Sequence, residues 1–505
     1  MNDELNRRRF FQLCGGAAPL VLPACVGPGA PTLSPAPPAP PAAHERAATP
    51  PNLTRTFVDR IWTWRATGAE VLARARLLLL DGFGVGSAGA PEPGPTILAQ
   101  LARAEGATPL ASVIHHGFST GLVAAARVNG TSMHVLDFEA MWDPANHGVS
   151  TITPGLLALA EQREAETGAP QGPALLRALA KGLEAQGRLR LSSGEINVPE
   201  FSVHPPGAVG AIAAAIAASD FLGLDLAQAT MAAGIASSRI GGGFANVGSM
   251  TKALHCGDAA ANGLHAALMA ARGFTANSDA LGGTKGWGMT FFPRFDPAPL
   301  IAPLTAPRIL EPGNAWKFFP AEYGLHFVIA AALDVHRAGG RAEQIESVVL
   351  RVPDIPYLER LPTSGLDGKF SWKYVAAVAL IDGKVDKASF SDRRRFAADI
   401  DHFVHRISLD IDRTIPPRFD QMHAVVTARL VGGTKLERRC DAPLGHWRRP
   451  APDSAVEAKA RGLLEAELGG EATARVLGLL MGVPLERLAI RPIMEILRGP
   501  APARR

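Results

Sequence analysis

Three short stretches concentrate side chains that can move protons or hold anions. Asn129 to His147 carries His134, Asp137, Glu139 and His147. Phe201 to Gly207 places His204 directly ahead of Pro205-Pro206, where a helix N-terminus attracts negative charge. Gly248 to Gly257 sets Lys252 and His255 among small and apolar residues, where burying an ammonium is costly unless an anion meets it. Imidazoles beside a carboxylate and buried cations suit general acid–base work on an anionic small molecule, because the cations answer its charge. Any single histidine or lysine is more often structural or solvated, and His134 alone reads as a hydrogen-bonded core residue. The case therefore rests on the set. His134 and Asp137 lie one helical turn apart and can share a face, and Pro144 should end that helix and turn His147 back toward it. A metal held by His134, Asp137 and His147 is the competing use of the same residues.

Two further motifs point elsewhere. Gly84 to Gly89 fits GxGxxG, but a helical pattern precedes it and Pro91, Pro93 and Pro95 follow, so it reads as a turn that closes the preceding helix rather than a nucleotide loop. Gly117 to Gly121 fits GxSxG, with Ser119 as nucleophile if Val113-Ile114 leads a strand into a hydrolase elbow. The helical flanks lack the parallel framework such an elbow needs, and the alternative is a cap opening a helix over residues 121–128.

Helices must position these groups. Apolar residues recur at helical spacing over Thr56 to Gly82, Leu156 to Glu164, Pro173 to Gln186, Val209 to Leu222 and Asp258 to Arg272. The alanine-rich run after Pro206 is expected to be a central buried helix rather than a membrane span. Beyond about residue 315 the pattern becomes mixed. Ile345 to Val352, Ile407 to Ile411, and the pair His423 to Val431 and Thr434 to Arg439 around Gly432-Gly433 read as strands and a hairpin. Ala455 to Leu497 returns to helix. The expected fold is mainly α: a large, discontinuous all-helical domain (55–314 and 447–505) with an inserted smaller α+β domain (315–446).

The bulk numbers agree with a globular protein. The 505 residues are 47% hydrophobic and 19% charged, and the net charge of +4 is spread over both halves, unlike the dense basic stripe of a nucleic-acid binder. Cys256 and Cys440, the cysteines beyond the N-terminal region, have no zinc-site spacing. At the N-terminus, Arg7-Arg8-Arg9-Phe10-Phe11 before a short apolar run resembles a twin-arginine signal over residues 1–25. Leu22 to Cys25 looks like a lipoprotein processing site, which would put a lipid anchor on Cys25. A Pro/Ala-rich linker follows at 26–54. The expectation is an exported, periplasmic protein.

As an ordered set, several blocks resemble the MmgE/PrpD family of 2-methylcitrate dehydratases, cis-aconitate decarboxylases and iminodisuccinate epimerases, from about Val71 to Leu497. They are Asn129 to Phe138 with Pro144 to His147, the His-Pro-Pro helix start at His204, Gly248 to Gly257, Lys317 to Ala321 with His326, and Ser371 to Val375. The resemblance implies an active site of Asp137, His147, His204, Lys252, Lys317 and Tyr374, a homodimer, a small polycarboxylate substrate, and neither metal nor organic cofactor. In this reading His147 moves the carbon-bound proton, Asp137 orients it, His204 or Tyr374 delivers a proton, and Lys252 and Lys317, with Met141, Glu322 and His255, contact substrate. Dehydration of a 2-methylcitrate-like acid comes first, with decarboxylation or epimerisation on the same scaffold as alternatives. A Ser119 hydrolase and a non-catalytic carboxylate-binding protein are the readings from other classes. Three departures stand out: Glu139-Ala140-Met141 where citrate-binding relatives tend to carry Asp-Asp-Thr, Glu322-Tyr323 in place of a cysteine and an arginine, and Gly148 in place of a proline. Met141 and Glu322 argue for a substrate less charged than a tricarboxylate.

Overall fold

A computed structural model describes residues 49–142 and 144–500. The expected export signal, Cys25 and nearly all of the linker lie outside the described residues.

The helical layer begins with α1 (Leu53–Trp62), two residues inside the expected linker. Thr54 fixes that start by donating its backbone N–H and its hydroxyl to Asp279. Next comes α2 (Ala69–Gly89), which runs straight through the glycine-rich stretch instead of closing before it. The reason is packing: a Cβ at Gly84 would lie 2.9 Å from the Ala460 Cα, and one at Gly89 would lie 2.1 Å from the Ser132 carbonyl oxygen. These glycines let two other helices approach the α2 backbone, and the turn expected there does not form.

After α3 (Pro93–Glu105), β1 (Ala111–Val113) and β2 (Phe118–Thr120) form a small antiparallel hairpin. Ser119 thus lies in a two-stranded hairpin, with Arg498 donating to its hydroxyl at 3.1 Å, and no strand-to-helix elbow of a parallel sheet surrounds it. Helix α4 (Leu122–His134) follows, then α5 (Val149–Thr167), α6 (Gly172–Ser192), α7 (Pro205–Leu222), α8 (Leu226–Ser237) and α9 (Met250–Ala270). The apolar helix α7 is long enough to cross a membrane but is buried within the protein. Its alanines allow close approach on every side, and Pro205 and Pro206 occupy the first turn, where a missing N–H costs nothing.

Short helices α10 (Trp287–Phe291) and α11 (Ala298–Ile301) lead to the mixed layer. There α12 (Leu325–Arg337), β3 (Ile345–Val352), α13 (Trp372–Asp382), α14 (Asp392–Arg395), α15 (Ala398–Val404) and β4 to β6 (Ile407–Ile411, Ala424–Leu430, Lys435–Cys440) build a four-stranded sheet ordered β4-β3-β5-β6. The β3/β4 pair is parallel, the others are antiparallel, and Gly432 and Gly433, both at φ +87°, turn the last hairpin. Finally α16 (Asp453–Leu468), α17 (Gly470–Met481) and α18 (Arg491–Arg498) return to the helical layer and share its core through Val456, Leu464 and Leu497. The mixed layer has its own core, which Met141, Val198 and Phe201 from the helical side also enter. Cys256 and Cys440 are both buried and unpaired with each other.

Candidate active site

The functional loop begins where α4 stops. Helix α4 ends at His134, well before Pro144, so His134 and Asp137 do not share a helical face as expected. Asp137 instead sits at φ +51°, in the left-handed region that non-glycine residues seldom adopt. Strain of this kind persists only where neighbours hold it. Here three buried lysines from distant parts of the chain grip three successive carbonyls: Lys369 donates to Leu136 O (2.9 Å), Lys317 to Asp137 O (3.0 Å) and Lys459, on α16, to Phe138 O (2.6 Å). Met141 then pairs with Ala315 through reciprocal backbone bonds, tying the loop to the segment that brings in Lys317.

The Asp137 carboxylate lies at the centre. Lys252, in the first turn of α9, donates to Oδ2 at 2.9 Å, and Lys317 donates to Oδ1. Burial would raise this carboxyl, but the two ammoniums outweigh it and hold it well below the usual carboxylate range. Lys252 also donates to His134 Nε2 at 2.9 Å, so the His134 proton resides on Nδ1 and is donated to Glu139 Oε1 at 2.6 Å. Burial lowers His134 to about 4, which agrees with a neutral ring. Glu139 also accepts from Ser150 at 2.8 Å and is held ionised.

His147, just before the α5 N-cap, has Nδ1 3.2 Å from Glu139 Oε1 and Nε2 3.6 Å from Asp137 Oδ1. At Gly148 a Cβ would lie 2.3 Å from the Leu183 Cδ2 and 3.2 Å from the Trp142 Nε1, so a larger residue there makes the Leu183 side chain shift. His204 is the N-cap of α7, with Nδ1 3.3 Å from His255 Nδ1. Burial first, and the nearby Lys252 second, push His204 well below the usual imidazole value, so it is neutral.

Several of these groups line one half-open cavity. Asp137, Asn146, His147, His204, Lys252, Lys317 and Glu322 are among its polar lining, and Met141, Tyr323 and Tyr357 also stand in the wall. Burial pushes the Glu322 carboxyl up to about 7, against the pull of Lys317. The imidazoles and carboxylates of His134, Asp137, Glu139 and His147 lie within 4.8 Å of one another, a spacing able to hold a metal ion. The Lys252 ammonium, bonded to both His134 and Asp137, already supplies a cation there.

Residues 56–300 match the MmgE/PrpD N-terminal domain and residues 319–479 the MmgE/PrpD C-terminal domain. The chain belongs to the MmgE/PrpD family. The cis-aconitate decarboxylase of Mus musculus is 32% identical over 77% of this chain and 82% of its own length, and that of Homo sapiens is 31% identical over 86% and 91%. A cis-aconitate decarboxylase of Aspergillus terreus is 25% identical over 86% of this chain and 92% of its own.

Within this MmgE/PrpD site, Asp137, His147, His204, Lys252, Lys317, Met141 and Glu322 meet at the cavity. Two expected residues do not. Tyr374, on α13, donates its hydroxyl to the Ser389 carbonyl and is absent from the cavity wall, because its helix packs it into the core of the mixed layer. His255 stands behind His204 rather than in the wall. His134, read from sequence as a core residue, also orients Lys252, and residues the sequence reading passed over are the wall tyrosine Tyr357 and the clamp lysines Lys369 and Lys459. The available signal for Lys369 was its place in Gly-Lys-Phe-Ser-Trp, where an ammonium must find a buried acceptor.

Proposed function

We propose that the protein is a cofactor-free lyase that removes CO2 from a small unsaturated polycarboxylate of the cis-aconitate kind. The observation that carries this reading is the cavity in which Lys252 and Lys317 meet at Asp137 with His147 beside it. The family membership and the names of the similar proteins support it.

Such a substrate reacts by shifting electrons through its double bond. The bond to the departing carboxylate breaks, and its electron pair forms a new C=C bond. The displaced π pair takes a proton at the carbon next to a retained carboxylate. A tricarboxylate trianion and one proton thus give a dicarboxylate dianion and CO2. His147 is placed to move that proton, since it lines the cavity while Glu139 stands at its other nitrogen. Lys252 meets the charge that gathers beside the retained carboxylate. His204, neutral, orients the acid without adding charge. Apolar walls favour loss of a carboxylate, whose charge disperses on becoming CO2. Dehydration, which came first on sequence alone, needs in addition an acid at the departing hydroxyl, and Tyr374, one of the two donors assigned to that step, is away from the cavity.

The test is incubation of the purified protein with cis-aconitate and, separately, 2-methylcitrate in deuterated water, followed by NMR. Release of CO2 with one deuterium in the product supports decarboxylation. Loss of water with every carboxylate retained would overturn it in favour of a dehydratase.

A further inference from the structure

The two ammoniums of the cavity are largely engaged by the protein itself. The three N–H groups of Lys317 are matched by three protein acceptors, Asp137 O, Asp137 Oδ1 and Ala321 O. Lys252 spends two on His134 and Asp137, which leaves one. A further unpaired donor in the lining is the Asn146 amide, whose Oδ1 accepts from Gln186 at 2.7 Å while its buried Nδ2 has no protein partner; the imidazole of His147 and the hydroxyl of Tyr357 also line the cavity. One carboxylate can therefore be received well at Lys252 and Asn146.

Much of the remaining wall is apolar. Phe201 and Phe244 meet edge to face at 5.9 Å, Phe244 and Tyr357 at 5.2 Å, and Val198, Val247 and Met141 also face the cavity. A carboxylate laid against that wall would lose its water without gaining a cation. Glu322, on the same cavity, adds a second negative charge beside Asp137 when it ionises.

Resting on the lyase reading above, we infer that the true substrate is an unsaturated dicarboxylate with an uncharged, apolar substituent. That substituent packs along Phe201, Phe244 and Tyr357, where a tricarboxylate would carry a third charge. Reaction chemistry locates the replaced group. One carboxylate departs as CO2, and a second must flank the carbon that is protonated. The carboxylate on the central carbon takes part in neither event, so it is the one an alkyl group replaces. The substrate class is then a 3-alkylpent-2-enedioate.

Two measurements test this. Initial rates of CO2 release are compared for cis-aconitate and for 3-methyl- and 3-propylpent-2-enedioate. Binding of the unreactive saturated analogues, propane-1,2,3-tricarboxylate and 3-propylpentanedioate, is measured by calorimetry. The expected result is a kcat/KM for the propyl compound at least tenfold above that for cis-aconitate, and tenfold tighter binding of the propyl analogue. Substitution Phe244→Ala should shrink both ratios. Tighter binding or faster turnover of the tricarboxylates overturns the inference and leaves the lyase reading intact. Preferential binding of the propyl analogue with no CO2 from any compound retains the assigned ligand class and removes the decarboxylase reading.

Discussion

Substituting Lys369→Met tests whether the clamp on residues 136–138 sets the geometry of Asp137. The change keeps most of the side-chain volume and removes the donor to the Leu136 carbonyl, 2.9 Å away. Leaving a buried acceptor unmatched costs ~1–3 kcal/mol, and since Asp137 is held in a strained conformation, that cost falls on its orientation. At about 1.4 kcal/mol per tenfold, the expected loss in kcat/KM is roughly 5- to 150-fold, mostly in kcat. Stability should change little at neutral pH, because the variant is also relieved of a buried ammonium. The pH dependence separates this from a general packing defect. Burial lowers Lys369 to about 7 from an ordinary 10.5. Between those values the unfolded chain binds a proton that the folded one does not, so this group makes stability rise with pH from about 7 to 10.5, by up to ~1.4 kcal/mol per unit. Denaturant melts at pH 7 and pH 9 should show the wild type gaining on Lys369→Met as pH rises. A kcat/KM within twofold of wild type, or a stability gap that does not change with pH, refutes the reasoning.

Other predictions concern the remaining parts of the site. His147→Gln should cost ~10² to 10⁴-fold in kcat with the melting temperature kept, read by CO2 release and circular dichroism. Because Glu322 is raised to about 7, its ionisation puts a second negative charge near an anionic substrate, so wild-type kcat/KM should fall through that pH and Glu322→Gln should flatten the fall. The same shift makes the Glu322 contribution to stability drop as pH rises from 4.5 to about 7, since there the folded chain holds the extra proton. Gly89→Ala drives a Cβ toward the Ser132 carbonyl and should cost ~1–3 kcal/mol in urea unfolding, whereas a turn at this position would tolerate it. Ser119→Ala should leave CO2 release unchanged, and loss of activity would revive the hydrolase reading.

Local chemistry made much of the protein readable from its order of residues. The strands Ile345–Val352 and Ile407–Ile411 follow from β-branched runs, and the hairpin from Gly432-Gly433, because strand pattern and turn glycines act over a few neighbours. Proline next to His204 marked the start of α7 for the same reason. The cluster Asp137, His147, His204 and Lys252 was also legible as a set of chemically apt residue types. Tertiary structure alone decided the rest. A glycine run inside α2 resembles a turn until another helix backbone is seen against it. His134 resembles a core residue until Lys252 and Glu139 fix its tautomer. Whether Tyr374 faced substrate depended on the helix that carries it. The left-handed Asp137 is held by Lys317, Lys369 and Lys459, which arrive from far along the chain, and contacts so distant leave no mark on the local sequence.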